Sequence, residues 1–147
     1  LVQSLDQTYT LKAIEAFQEF TNTFPRSDRV AQCNELIDEM REKLEDKAYY
    51  GSKLYYTTGF YESALSAFGN MLKDFPGSEN AEEVRYLMVK SAYIQADNSV
   101  YAKKEDRFLE TAKLYNEFRK KYERSQYDEE LEEIFKETTK QLEKFKV

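Results

Sequence analysis

Histidine and tryptophan are both absent from the 147 residues. Without histidine there is no imidazole ligand for a metal, no histidine general base and no serine–histidine triad. The single cysteine, Cys33, excludes an internal disulfide, and with no histidine to activate it, it is a poor nucleophile. Four glycines and two prolines leave few breaking points, which favours long helices over strand hairpins. A glycine-rich phosphate loop is missing, and so is a dinucleotide fingerprint. No apolar run approaches the roughly 20 residues needed to span a bilayer. No secretory leader is visible, and "LVQSLDQTYTLKAI" reads as a helix opening mid-fold, as in a piece of a longer chain. Positive charge is short as well. Lys and Arg number 22 against 28 Asp and Glu, a net charge of −6. That balance excludes the basic stripe by which nucleic-acid binders displace counterions, so no nucleic-acid partner is expected.

The carboxylates suggest no active site. Glu82/Glu83 and Glu132/Glu133 are adjacent pairs, and neighbours in sequence on a helix point in different directions. They read as solvated surface. No catalytic, metal-binding or cofactor-binding residue is expected, and no enzyme.

Hydrophobic residues make up 41 % of the chain and charged residues 34 %, enough for a core under a well-solvated surface. Twelve Tyr and ten Phe must pack somewhere. Their placement repeats. "AIEAFQEFTNTFPRS" (13–27) returns 51 positions later as "ALSAFGNMLKDFPGS" (64–78). Ala13, Ala16, Phe17, Phe24, Pro25 and Ser27 match Ala64, Ala67, Phe68, Phe75, Pro76 and Ser78. A weaker third copy, "TAKLYNEFRKKYERS" (111–125), places Tyr115, Tyr122 and Ser125 at the same offsets and lacks the proline. Apolar residues at three- and four-residue steps mark each copy as an amphipathic helix. The small alanines let a neighbour approach, the aromatic one turn later fills the gap, and the serine can cap the next helix.

The unit "AYYGSKLYYTTGFYESALSAFGNMLKDFP" (48–76) reads as helix, tight turn at Gly59, helix, and it resembles the tetratricopeptide repeat. Tyr55, Gly59, Tyr61, Ala64, Phe68 and Pro76 fall at that motif's offsets. The 51-residue spacing exceeds the 34-residue repeat by about 17. Val30, Cys33, Ile37, Met40, Leu44, Ala48, Gly51 and Tyr55 form one apolar stripe, which predicts a single helix from about Asp28 to Thr58, roughly 45 Å long. Cys33 is expected buried as a small apolar residue. Gly51 is expected where another helix approaches closely. Ser78 opens the next helix, with Ala81, Val84, Leu87, Met88 and Ser91 inward. A long loop is predicted near 97–106, and the third motif helix over about 107–122. The last stretch, "YDEELEEIFKETTKQLEKFKV", is a charged closing helix with Leu131, Ile134, Phe135, Thr138 and Leu142 on its apolar face. Its acids come first and its lysines last, in accord with the helix dipole.

The expected fold is all-α: a single tetratricopeptide-like α-solenoid domain over 1–147, with about six helices including one long one. The first motif copy lacks its partner helix, which leads to the expectation of upstream repeats. Stacked hairpins present a face lined by their first helices to a peptide or partner loop. On the long helix Tyr49, Lys53 and Tyr56 recur at four and three residues, off the Ala48/Tyr55 stripe, and Arg85 lies on the next first helix. These four are the candidate partner-binding residues, Tyr and Arg being common interface anchors. The competing reading is plain surface or packing between repeats.

The paired "F-P-x-S" ends, the long helix between them and the "YY…G-x-Y-x-x-A" opening of the second unit resemble the C-terminal half of the BamD family, outer-membrane assembly lipoproteins with tetratricopeptide repeats. The resemblance covers roughly residues 9–96 and extends more loosely over the rest. The 97–106 loop and the acidic closing helix depart from the family pattern. The resemblance implies a lipoprotein on the periplasmic face of the outer membrane, anchored by an upstream lipidated cysteine that Cys33 does not match. It implies a subunit of the β-barrel assembly machinery whose C-terminal repeats dock on periplasmic domains of the barrel-forming subunit. Unfolded outer-membrane proteins are the second implied class of partner. The positions that match the family are core positions, so no family role passes to a single residue. Two alternatives stand beside this reading: a different periplasmic repeat adaptor, of the kind that coordinates envelope constriction, and a generic peptide-binding repeat adaptor. The irregular spacing weighs against the first and the acidic balance against the second.

Overall fold

Each motif copy of the sequence ends in the same hydrogen-bonded turn. The computed structural model describes residues 6–146 and contains, among them, six helices and no strand: α1 Thr8–Thr23, α2 Val30–Thr57, α3 Tyr61–Asp74, α4 Ala81–Asp97, α5 Tyr101–Lys121 and α6 Asp128–Glu143. After α1, Phe24 N–H donates to the Phe20 carbonyl (2.9 Å), Ser27 N–H to Phe24 (3.0 Å) and Val30 N–H to Ser27 (3.2 Å). The Ser27 hydroxyl accepts from Arg29 N–H at 3.2 Å. After α3 the same four bonds recur: Phe75 to Met71 (2.8 Å), Ser78 to Phe75 (3.1 Å), Ala81 to Ser78 (3.1 Å), and Asn80 N–H to the Ser78 hydroxyl (3.1 Å). After α5, Tyr122 bonds to Phe118 (2.9 Å), Asp128 to Ser125 (3.2 Å) and Tyr127 N–H to the Ser125 hydroxyl (3.2 Å). Here, where the proline is missing, the Ser125 N–H donates to the Asp128 carboxylate instead (2.9 Å), a reciprocal cap. The serine thus stands three residues before the first helical residue, in a serine turn that leads into the helix.

The turn between α2 and α3 has a different chemistry. Gly59 sits at φ +85°, its N–H reaching the Tyr56 carbonyl (3.2 Å), while Phe60 N–H reaches Tyr55 (2.9 Å). This pair of bonds is the Schellman ending, and the left-handed residue in it favours glycine. A Cβ at Gly59 would meet nothing within 4 Å, so only the backbone demands glycine there.

The chain divides into two compact units, residues up to Gly51 and residues from Ser52, with α2 running from one into the other. The first unit buries Thr10 and Ile14 of α1 and Cys33, Ile37 and Tyr49 of α2. In the second unit α3 packs on α4, α4 on α5 and α6, and α5 on α6. The first helix α4 therefore touches the second helix before it and the first helix after it, the stacking of tetratricopeptide hairpins. The core holds Ala64 and Phe68 from α3, Val84, Val89 and Ala96 from α4, Phe108, Thr111 and Phe118 from α5, and Leu131 and Thr138 from α6, all at most 1 % exposed. Phe68 occupies the repeated aromatic position of its motif copy. Tyr115, at the same position of the third copy, stacks on Phe135 with ring centroids 4.3 Å apart.

Four expectations need correction. The 97–106 loop is only Asn98–Val100, because "YAKKED" is made of good helix formers and α5 begins at Tyr101. Gly51 is exposed, and a Cβ added there would meet nothing within 4 Å, so no close approach explains it. Tyr55, expected inward, is 45 % exposed, whereas Tyr49, expected on the surface, is only 9 % exposed. α2 serves two compact units in turn, and the face it buries is set by the neighbours in each. Residues 1–5 of the opening stretch and Val147 of the closing one lie outside the described residues.

Two substitutions separate core from turn. Phe118→Ala is expected to cost about 3–5 kcal/mol and Gly59→Ala about 1–2 kcal/mol, both read from the midpoint of denaturant unfolding followed by circular dichroism. Equal losses, or none at Gly59, would contradict this account of the turns.

Candidate partner-binding surface

Repeated turns deliver repeated side chains. Glu83 and Glu130 both stand five residues after a turn serine, Ser78 and Ser125. Each receives a lysine from the first helix before it. Lys53 of α2 pairs with Glu83 of α4 at 3.0 Å, and Lys90 of α4 pairs with Glu130 of α6 at 2.8 Å. Aromatic rings interleave with these pairs. Lys90 Nζ lies 5.9 Å from the centroid of Tyr56 and 5.1 Å from that of Tyr86. Tyr86 stacks on Tyr127, ring centroids 3.9 Å apart and planes within 11°. Tyr86 Oη donates to Glu130 Oε2 at 2.5 Å and accepts from Lys90 Nζ at 3.1 Å. Tyr56 meets Tyr61 edge-on at 5.9 Å. The result is a half-buried ridge across the ends of α2, α4 and α6, alternating aromatic and charge.

The electrostatics follow from the contacts. Hydrogen bonds from Lys90 and then Tyr86 hold the Glu130 carboxyl below its usual range, against the opposing effect of burial. Burial pulls the Lys90 ammonium down, but its bonds to Glu130, Tyr86 and Tyr56 outweigh that and raise it. Burial, then the bond to Glu130, pushes the Tyr86 phenol up. A further ion pair, Arg119 to Asp128 at 2.6 Å, ties the end of α5 to the start of α6 outside the ridge. The two ridge pairs are about a third to a half exposed on at least one side, so each contributes at most about 1 kcal/mol. They fix geometry more than they stabilise.

The four sequence candidates divide. Lys53 and Tyr56 stand on the ridge, facing Glu83 and Lys90. Tyr49 is a correction: it is buried, with its ring 5.2 Å from that of Tyr50, and offers no surface. Arg85 is half-buried on α4, next to Tyr86 and two residues from Glu83, spacings that do not share a helix face. Its Nε is buried and has no hydrogen-bond partner. The ridge residues missed by sequence reasoning are Tyr86, Lys90, Tyr127 and Glu130, together with Glu83, which reads as solvated surface in the sequence and is paired with Lys53. The shared offset of Glu83 and Glu130 from the turn serines was the available signal. Among the described residues no group of acids or cysteine could hold a metal ion, and no helix is long and apolar enough to cross a membrane.

A family model described as outer membrane lipoprotein, YfiO, matches residues 2–78 and again residues 53–145. The two matches overlap across the Gly59 turn and the second motif copy. No curated protein matches the chain.

The Glu130 carboxyl predicts an acid-sensitive ridge. Its contribution is full above the ordinary value of 4.5 and is lost as pH falls through its lower folded value. Between pH 6 and 3 the unfolding midpoint of the native chain is expected to fall more steeply than that of Glu130→Gln. Parallel profiles would contradict the pairing.

Proposed function

This chain belongs to the YfiO outer membrane lipoprotein family, and on that premise we propose that it is a non-catalytic docking scaffold, a BamD-type subunit of the machinery that assembles β-barrels in the outer membrane. It works on the periplasmic face and docks on the periplasmic domains of the barrel-forming subunit, with unfolded outer-membrane proteins as a second class of partner. The observation that supports the reading is the ridge: a family match over both units, combined with Tyr56 of α2, Tyr86 of α4 and Tyr127 at the entry to α6, gathered around Lys90 and Glu130.

The binding chemistry follows from residue type. Tyrosines give large contact area at low conformational cost, since only two side-chain torsions are fixed. The stacked Tyr86 and Tyr127 rings and the paired lysines are already held, so little ordering remains to be done on binding. The ion pairs set register, and the rings supply affinity. Neither a cofactor nor a reaction enters this reading.

Affinity capture from envelope extract tests it. The native protein is expected to recover the barrel-forming assembly subunit, and Tyr56→Ala with Tyr127→Ala to lower that recovery at least about tenfold. Recovery of cytosolic chaperones or division proteins alone would overturn the assignment. Undiminished recovery by the double variant would remove the ridge from it.

A further inference from the structure

α2 does not bury one face along its whole length. In its first half Cys33 and Ile37 are buried one turn apart, and the half-buried Met40, Leu44 and Ala48 continue their stripe. The next positions on that stripe are Gly51 and Tyr55. Both are exposed. Tyr49 and Ser52, three residues apart, are buried instead, at 9 % and 2 % exposure. At about 100° per residue they stand roughly a third of a turn round the helix from the Cys33/Ile37 face. The buried face therefore changes over residues 49–52. The division of the chain into two compact units falls at the same place, between Gly51 and Ser52.

The residue at this junction is a costly one. Glycine in a helix interior gives up more chain entropy on folding than any other residue and weakens the helix relative to alanine. Three local needs would justify it, and none applies. Among the described residues only Gly59 has a positive φ, so Gly51 serves no left-handed turn. A Cβ at Gly51 would meet nothing within 4 Å, so no neighbour presses on it. α2 continues to Thr57, so the glycine ends no helix. Gly69 of α3 also has room for a Cβ, but it lies beside Phe68 and Met71, both at most 1 % exposed, inside one unit, and no change of face occurs there. Gly51 alone joins an unexplained glycine to a unit boundary. It is followed by Ser52, and glycine–serine pairs are recurrent sites of helix bending.

We propose that Gly51 and Ser52 form a hinge: α2 bends there, and the angle between its two halves varies in solution, each half moving with the unit it packs in. A glycine widens the range of backbone torsions open at that point, and an exposed one lets water take up the backbone groups that bending loosens. Only the few residues at the hinge need change their torsions. The ridge lies wholly beyond the bend, since Lys53, Tyr56, Glu83, Tyr86, Lys90, Tyr127 and Glu130 all belong to the second unit. Bending at Gly51 therefore leaves the ridge contacts as they are. The hinge does not rest on the docking role, so either can fail alone.

The test is the distance distribution between two spin labels, read by pulsed electron paramagnetic resonance on the full chain carrying Cys33→Ala. One label pair, Glu35→Cys with Lys113→Cys, spans the hinge, and a second, Lys73→Cys with Lys113→Cys, lies within the second unit; all three positions are exposed. The spanning pair is expected to give the wider distribution. Gly51→Ala is expected to remove at least about half of that excess width, because alanine stiffens the helix interior, and Gly69→Ala to remove none of it. Circular dichroism confirms the helix content of each variant. Equal widths for the two pairs without either glycine substitution overturn the proposal, and so does an excess width that Gly51→Ala leaves unchanged. Equal narrowing by Gly69→Ala also overturns it, for the motion would then lie elsewhere than at residue 51.

Discussion

The serine turn is the constraint on which the rest of this fold depends. Every helix end leaves N–H and C=O groups that must find partners. Here one short motif satisfies the end of a second helix and the start of the next first helix with the same few bonds, at Ser27, Ser78 and Ser125. Because the turn recurs, the residues a fixed distance beyond it recur in place. That is why Glu83 and Glu130 each meet a lysine of the preceding first helix. The third turn shows that the geometry, and not the proline, is essential: Asp128 supplies the cap by another route.

Energy and specificity come from different residues. The aromatic and small residues under the hairpins, Ala64, Phe68, Phe118 and Leu131 among them, are fully or almost fully buried and carry the stability. The ridge above them is polar, half-exposed and pre-arranged. Its ion pairs contribute little to folding and hold the stacked Tyr86 and Tyr127 rings in one arrangement. The docking role proposed above needs that division: a core that holds without ligand, and a face whose contacts are settled before binding.

Much of this was legible in the sequence. The spacing of Ala, Phe, Pro and Ser announced three equivalent helices. The inward positions Val84, Leu87 and Ser91 of α4, and Leu131 and Thr138 of α6, are buried as the periodicity indicates. The long helix was visible because nothing breaks it, and Val30–Thr57 confirms it. What was not legible lies in contacts between helices. Periodicity places Tyr49, Lys53 and Tyr56 on one stripe, yet only the neighbours decide that Tyr49 is buried and Tyr56 is not. Nothing in the sequence singles out Lys90, because its partners sit on α2 and α6, distant in sequence. The short α4–α5 turn was hidden by polar residues that read as loop and fold as helix.

The most direct measurement of the central claim is site-specific photocrosslinking in living cells. A photoreactive residue would stand at Tyr56 or Tyr127 on the ridge, and at the exposed Lys73 or Lys113 on the second helices. The account predicts adducts with the barrel-forming assembly subunit from the ridge positions and none from the other two. Adducts from positions 73 and 113, with none from 56 and 127, would contradict it.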